Sequence, residues 1–386
     1  MKINNRFACA PFRLFFLASS VWAVLALLLW GQFFLHGFTL SVNPVFWHAH
    51  EMLFGFAVPV AFGFIFTAAR HWTGKQATLL SYQLFLLALW LLCRFTFFIP
   101  FLHSHNAIFI GVHFTWWVFA LAALYRQLLH KQPGTYAGHF LIFFVMAMAD
   151  ISMLTLQREG AQQEVQVLLT TAVLLFCVLI GLIGSKILPF FTQRAVAGYQ
   201  VRRRPRLEKV TFVITAVSVV SFFTSKWFAV SSLPGYWLIA AGVLNATLLI
   251  SWHTKGIWHH PLLWSLYVAF AFMSLGLLFC GISFFAFFVP FNDALHLITI
   301  GAMSSMMLAI MVRVSLGHTG RVVRAPRYFG LALILLFGIA FIRMLAFLFP
   351  SPPLIWSITA WGAAFVISLF VIRFGAILLR PRIDEA

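Results

Sequence analysis

Polar positions are so sparse along this chain that about twelve apolar stretches, each of roughly membrane-spanning length, follow one another from end to end. They cover residues 13–35, 46–69, 78–99, 106–129, 138–156, 165–188, 209–229, 234–253, 262–289, 294–315, 327–349 and 354–379. Each can cross a bilayer as an α-helix, the form in which a single segment satisfies its own backbone groups. The short alternating segments of a membrane β-barrel are missing from the pattern. The predicted fold is all-α: a polytopic transmembrane helical bundle of about twelve helices, forming one integral membrane domain over residues 1–386.

Composition sharpens this picture. The chain is 62% hydrophobic and 9% charged, where a soluble domain carries roughly 25% charged residues. The net charge of +18 would point to nucleic acid on a soluble protein. Here the basic residues sit between apolar segments, so they are read as topology signals facing anionic lipid headgroups, and no nucleic-acid partner is expected. Loops rich in Lys and Arg alternate with bare ones. Lys2, Arg6 and Arg13 precede the first segment, Arg70 and Lys75 follow the second, and Arg126 and Lys131 follow the fourth. Lys226 stands alone after the seventh segment, and Arg313, Arg321, Arg324 and Arg327 follow the tenth. The positive-inside rule then predicts an even number of spans with both termini cytoplasmic, and the expected location is the bacterial inner membrane. The basic stretch 192–209, with Arg194, Arg202, Arg203, Arg204, Arg206 and Lys209, reads as a cytoplasmic loop joining two candidate halves, 1–190 and 209–386. No sequence repeat relates those halves. Cys9, Cys93, Cys177 and Cys280 are scattered singly and read as small buried apolar residues. The N-terminal apolar run lacks a cleavage pattern and reads as a retained first helix.

Candidate chemistry lies in the few ionisable groups within the apolar segments, which are costly there and mark cofactor, ion or proton sites. Trp47-His48-Ala49-His50-Glu51 opens the second segment, and Asp293 and His296 open the tenth. The predicted topology sets these at one level, together with Arg94, His113, Asp150 and Arg343; His103 and His105 are expected as surface loop residues. Imidazole, carboxylate and guanidinium at shared depth suit metal or haem ligation, proton relay or anion binding. His48 and His50 lie about 200° apart on a regular helix, so they cannot face one point unless the helix start is irregular. His48, His50, His296 and His113 are therefore the candidate metal ligands. Glu51, Asp293, Arg94 and Arg343 are candidates for orienting a ligand or moving protons. Met303, Met307 and Met311 fall near one stripe with His296 and read first as packing. Gly301, Ala302, Ser304 and Ser305 permit close approach by a helix or a macrocycle. The sequence holds no phosphate-binding glycine loop, nucleophile elbow or haem-attaching cysteine pair.

Several motifs resemble the NnrS family: His48-Ala-His50-Glu51-Met52 followed by Phe54-Gly55-Phe56, Leu188-Pro189-Phe-Phe-Thr192, His260-Pro-Leu-Leu-Trp264, Leu295-His296-Leu-Ile-Thr299-Ile-Gly301-Ala, and Arg313-Val-Ser-Leu-Gly-His318-Thr-Gly-Arg321. The resemblance implies a twelve-helix bacterial inner-membrane protein holding haem and copper, associated with denitrification and protection against nitric oxide. Carried over by motif, His48, His50, Glu51 and His296 are the ligand candidates, while Arg313 and His318 match a signature without an assigned role. Two positions depart from the family pattern. Gly184-Ser185-Lys186 stands where Gly-Gly-Arg is usual, and Tyr267 stands where a histidine is frequent. The histidines of the second and tenth segments also resemble those of haem-copper oxidase subunits. The sixth- and seventh-helix histidines of that group are missing, so oxygen reduction is not expected.

The expected function is haem binding, with copper as a further candidate, in nitric oxide stress or denitrification. The expected partners are membrane lipid, nitric oxide or another small redox ligand, and an electron donor. The alternatives are a proton-coupled secondary transporter and a non-catalytic assembly factor for a metal centre.

Overall fold

The structure, a computed structural model, describes residues 10–37, 42–74, 78–129, 133–201, 203–225, 232–285 and 289–383. Cys9 and the basic residues Lys2, Arg6, Lys75, Lys131, Arg202 and Lys226 lie outside the described residues. The twelve apolar segments appear as twelve helices: α1 (Pro11–His36), α2 (Pro44–His50, Glu51–Ala57 and Val58–Thr73 in continuous succession), α3 (Leu80–Phe95), α4 (Asn106–Leu128), α5 (Pro133–Arg158), α6 (Gln162–Ala195), α7 (Pro205–Thr224), α8 (Leu233–Trp252), α9 (Pro261–Ile282), α10 (Phe291–Gly317), α11 (Arg327–Met344) and α12 (Pro352–Leu379). Eleven of them are long and apolar enough to cross a membrane, and no strand occurs among the described residues.

The exception is α3, which has 16 residues. The apolar run there continues to Ile99, but the helix stops at Phe95. Ile99 precedes Pro100 and takes an extended conformation, as the clash with a following proline ring favours. Pro100 then opens a short helix, Pro100–Ser104, leading into α4. The sixth segment departs the other way. Its helix passes through Pro189 and ends at Ala195, and Pro205 opens α7 at a position where its missing N–H is no loss. The basic stretch expected as a loop over 192–209 is therefore a loop only between those two helices.

Burial sorts the helices into a core and a rim. The apolar windows of α2, α6, α10 and α9 are 83%, 78%, 72% and 67% buried, against 22% for α7. Helices that are apolar on all sides belong in the centre, and of these α2 carries His48 and His50 and α10 carries His296. α1 packs lengthwise along α12, so the chain's two ends are joined. Ser357 donates to the Gly31 carbonyl at 2.8 Å, and Arg13 donates to the Leu378 carbonyl at 3.0 Å. Gly31 is required at that crossing, because a Cβ there would sit 2.4 Å from the Trp361 indole nitrogen.

Both histidine-bearing helices are irregular at the same relative place. A π-helical segment, Glu51–Ala57, begins directly after His50, and a second, Leu297–Ser304, begins directly after His296. Such segments are rare and concentrate at functional sites. In α10, Ser304 donates to the Thr299 carbonyl at 2.9 Å and Ser305 to the Ile300 carbonyl at 3.2 Å. These five-residue returns follow the wider backbone spacing of the π turn. Gly301 packs against a helix neighbour: a Cβ there would lie 2.1 Å from the Phe272 ring of α9.

Candidate metal centre

His48 and His50 leave α2 in different directions and join two separate groups of polar side chains. Both groups lie toward the end of the bundle formed by the close of α1, α3, α5 and α11 and the start of α2, α4, α10 and α12.

His50 lies in the interior, fully buried, with both ring nitrogens engaged. Nδ1 is 2.9 Å from Glu51 Oε1, and Nε2 is 2.8 Å from Asp150 Oδ1 on α5. Glu51 is also fully buried. Arg94, near the end of α3, donates from Nη1 to both its oxygens at 2.7 Å, and the Trp22 indole of α1 donates to Oε2 at 2.6 Å. Gly55, one turn on, leaves room for that arrangement. A Cβ there would fall 2.8 Å from both Glu51 Oε2 and Trp22 Nε1. Asp150 receives a second hydrogen bond from the Trp117 indole, at 2.7 Å to Oδ2. His113 of α4 faces the same carboxylate, with Nδ1 3.7 Å from Oδ2. The result is a line of paired ionisable side chains sealed from solvent. Such charges are tolerated in an interior only when paired and hydrogen-bonded. Ligand atoms of His50, His113 and Asp150 lie within 4.8 Å of one another.

The second group lies across α2. The His48 ring stacks on Trp30 of α1, with centroids 4.3 Å apart and planes 4° from parallel. Its Nδ1 is buried and has no hydrogen-bond partner. His48 is within electrostatic reach of both His296 and Arg343. The Nδ1–H of His296 donates to the Asn292 carbonyl at 2.7 Å, one turn back on α10. That bond fixes the tautomer and leaves Nε2 with its lone pair. Arg343 of α11 pairs with Asp293 and lies over the Trp356 ring at 5.2 Å. Four of the residues singled out from sequence, His48, His296, Asp293 and Arg343, thus form one group. His50, Glu51, Arg94 and His113 form the other.

The remaining candidates lie elsewhere. His103 and His105 stand at the bundle's edge, where burial and the nearby Arg158 guanidinium hold the His103 imidazole below its ordinary range. Met303, Met307 and Met311 are buried, with the Met311 sulfur 3.8 Å from the Ser20 hydroxyl. At the opposite end of the bundle, Arg313 lies 4.0 Å from the Phe191 ring centroid and His318 packs on Phe12. Tyr267 there shares a hydrogen bond with Thr192 at 2.8 Å and donates to the Trp252 carbonyl at 3.0 Å.

Sequence reasoning missed Trp22 and Trp117 and placed Asp150 among the ionisable groups at shared depth without naming it a metal ligand. Nothing in local spacing marks an indole whose acceptor lies 29 or 33 residues away. Asp150 did carry a signal, as an isolated acid in an apolar helix.

Comparison with curated proteins gives no match. The family model described as NnrS protein matches residues 6–382, nearly the whole chain. That span takes in the π-interrupted α2 and α10 and both polar groups, and it shows that the chain belongs to the NnrS family.

Proposed function

We propose that the chain binds haem between α2 and α10, with His48 and His296 as imidazole ligands, and that the centre binds nitric oxide or passes electrons near the outer face of the inner membrane. Membership of the NnrS family supports a membrane protein of the nitric oxide response. One observation carries the ligand assignment: the buried Nδ1 of His48 has no partner, and His296, within electrostatic reach of it, has its own Nδ1 pinned by a carbonyl. An unsatisfied buried nitrogen is costly. A neutral imidazole nitrogen is a metal ligand, and a backbone carbonyl on the other ring nitrogen is a common way to orient one. The two imidazoles are residues that would hold haem iron, which would supply reversible binding of small diatomic molecules and one-electron transfer.

The chain's own residues set the conditions. Arg343, tethered by Asp293, offers a guanidinium for a cofactor carboxylate. The stack of Trp30 on His48 limits rotation of that ring. Arg94 is committed to Glu51. Copper also suits imidazole ligands and is the second candidate for the position.

Full-length protein purified in detergent after growth with ample haem is expected to show a Soret band that shifts when nitric oxide is added. A preparation with no Soret band and no copper by elemental analysis would overturn the proposal. Consumption of nitric oxide with a reductant would mark an enzyme, and binding without consumption a sensor or assembly factor.

A further inference from the structure

We propose that the cavity between the α6–α7 connection and the close of α8 binds the headgroup of an anionic phospholipid of the cytoplasmic leaflet. The proposal stands apart from the haem reading, since no residue of either histidine group lines the cavity.

The cavity has a volume of about 570 Å³, within the roughly 300–1,000 Å³ of small-molecule sites. Tyr199, Gln200 and Arg204 line it from the connection, and Ser251, His253 and Thr254 from the close of α8. These walls are fastened to each other. The Tyr199 hydroxyl donates to the Trp252 carbonyl at 3.0 Å. Gly256, just after α8, packs so closely on the end of α6 that a Cβ there would lie 2.4 Å from the Val196 side chain. Gly198 turns the connection back with φ +74°, a left-handed conformation that favours glycine.

The lining suits an anion. No Asp or Glu is among the described residues that form it, and Glu208, one turn past Arg204, is engaged with Arg203 at 3.5 Å. The hydroxyls of Tyr199, Thr247 and Ser251 are committed to backbone carbonyls. Arg204, His253, Gln200 and Thr254 remain to donate to a ligand. Arg206 and Lys255, both exposed, lie within two residues of lining positions and add positive charge at the rim. A guanidinium with neutral donors and no carboxylate matches a phosphate group. Two observations select a lipid over a soluble anion. Ile250, 73% exposed, lines the cavity, and the exposed Val243 and Tyr236 follow at seven-residue intervals along one face of α8. An acyl chain can lie on that apolar stripe while its phosphate occupies the cavity. The exposed Trp258 indole stands 6.2 Å from the His253 ring, and exposed indoles mark the headgroup level of a bilayer. The charge pattern assigns this end of the bundle to the cytoplasm, where the leaflet is anionic.

The test is native mass spectrometry of detergent-purified full-length protein titrated with phosphatidylglycerol or, in parallel, phosphatidylcholine. One phosphatidylglycerol is expected to stay bound at concentrations where phosphatidylcholine does not. Arg204→Gln, at an exposed position, is expected to weaken that binding about fivefold, the contribution of one basic residue at an anionic surface. Thr247→Trp fills the cavity from an exposed position on α8 and is expected to weaken it further. Arg324→Gln removes an exposed charge outside the cavity and is expected to leave binding unchanged. Equal retention of the two lipids, or losses in Arg204→Gln and Thr247→Trp no larger than in Arg324→Gln, would overturn the proposal. A melting temperature raised as much by inorganic phosphate as by phosphatidylglycerol would assign the cavity to a soluble anion and overturn it as well.

Discussion

Replacing Arg94 with methionine is expected to destabilise the protein by about 3–5 kcal/mol, the cost of stripping one partner from a buried ion pair. Arg94 Nη1 is 2.7 Å from both oxygens of Glu51, and both residues are sealed from solvent. Methionine fills much of the volume and brings no charge. Glu51 would then keep only the Trp22 indole and His50 as partners. The loss extends beyond one pair, because Glu51 orients His50 and His50 bonds Asp150. Arg94→Lys retains the charge but not the planar fork, and is expected to fall between the two. Thermal unfolding in detergent, followed by tryptophan fluorescence, reads the order directly. A methionine variant as stable as the parent would show that the Glu51 carboxylate does not depend on Arg94.

The second large effect is on the cofactor. His48→Ala combined with His296→Ala is expected to remove haem from the purified protein while leaving its melting temperature within a few degrees of the haem-free parent. Neither imidazole belongs to the Arg94–Glu51–His50–Asp150 array. His48 contributes a ring stack on Trp30, and His296 a bond to a carbonyl of its own helix. Their removal costs little packing and discards both proposed ligands. Each single variant is expected to retain less haem than the parent, with an altered Soret maximum. Full haem occupancy in the double variant would move the ligands elsewhere.

Much of the fold is legible in the sequence because a bilayer leaves the backbone few choices. Each span must satisfy its own N–H and C=O groups, so an apolar run of sufficient length becomes a helix. All twelve runs became helices. The errors came where proline acts in opposite ways: Ile99-Pro100 ended the third run early, while Pro189 did not interrupt the sixth. The divergence of His48 and His50 is also written in the sequence, since two residues of helix turn the side chain to another face. The companions of each histidine are not. Glu51 meets Arg94 across 43 residues and His50 meets Asp150 across 100, contacts set by the packing of helices and not by periodicity. The π segments were equally hidden. Leu297–Ser304 is as apolar as its surroundings, and only the assembled bundle shows the wider turn after His296.

The most direct measurement of the central claim is pulsed electron paramagnetic resonance on oxidised protein labelled with ¹⁵N-histidine, read at the haem signal. The account predicts imidazole nitrogen couplings at the iron, diminished in His48→Ala and in His296→Ala and unchanged in His113→Phe. Histidine couplings that persist in the His48→Ala, His296→Ala double variant would contradict it.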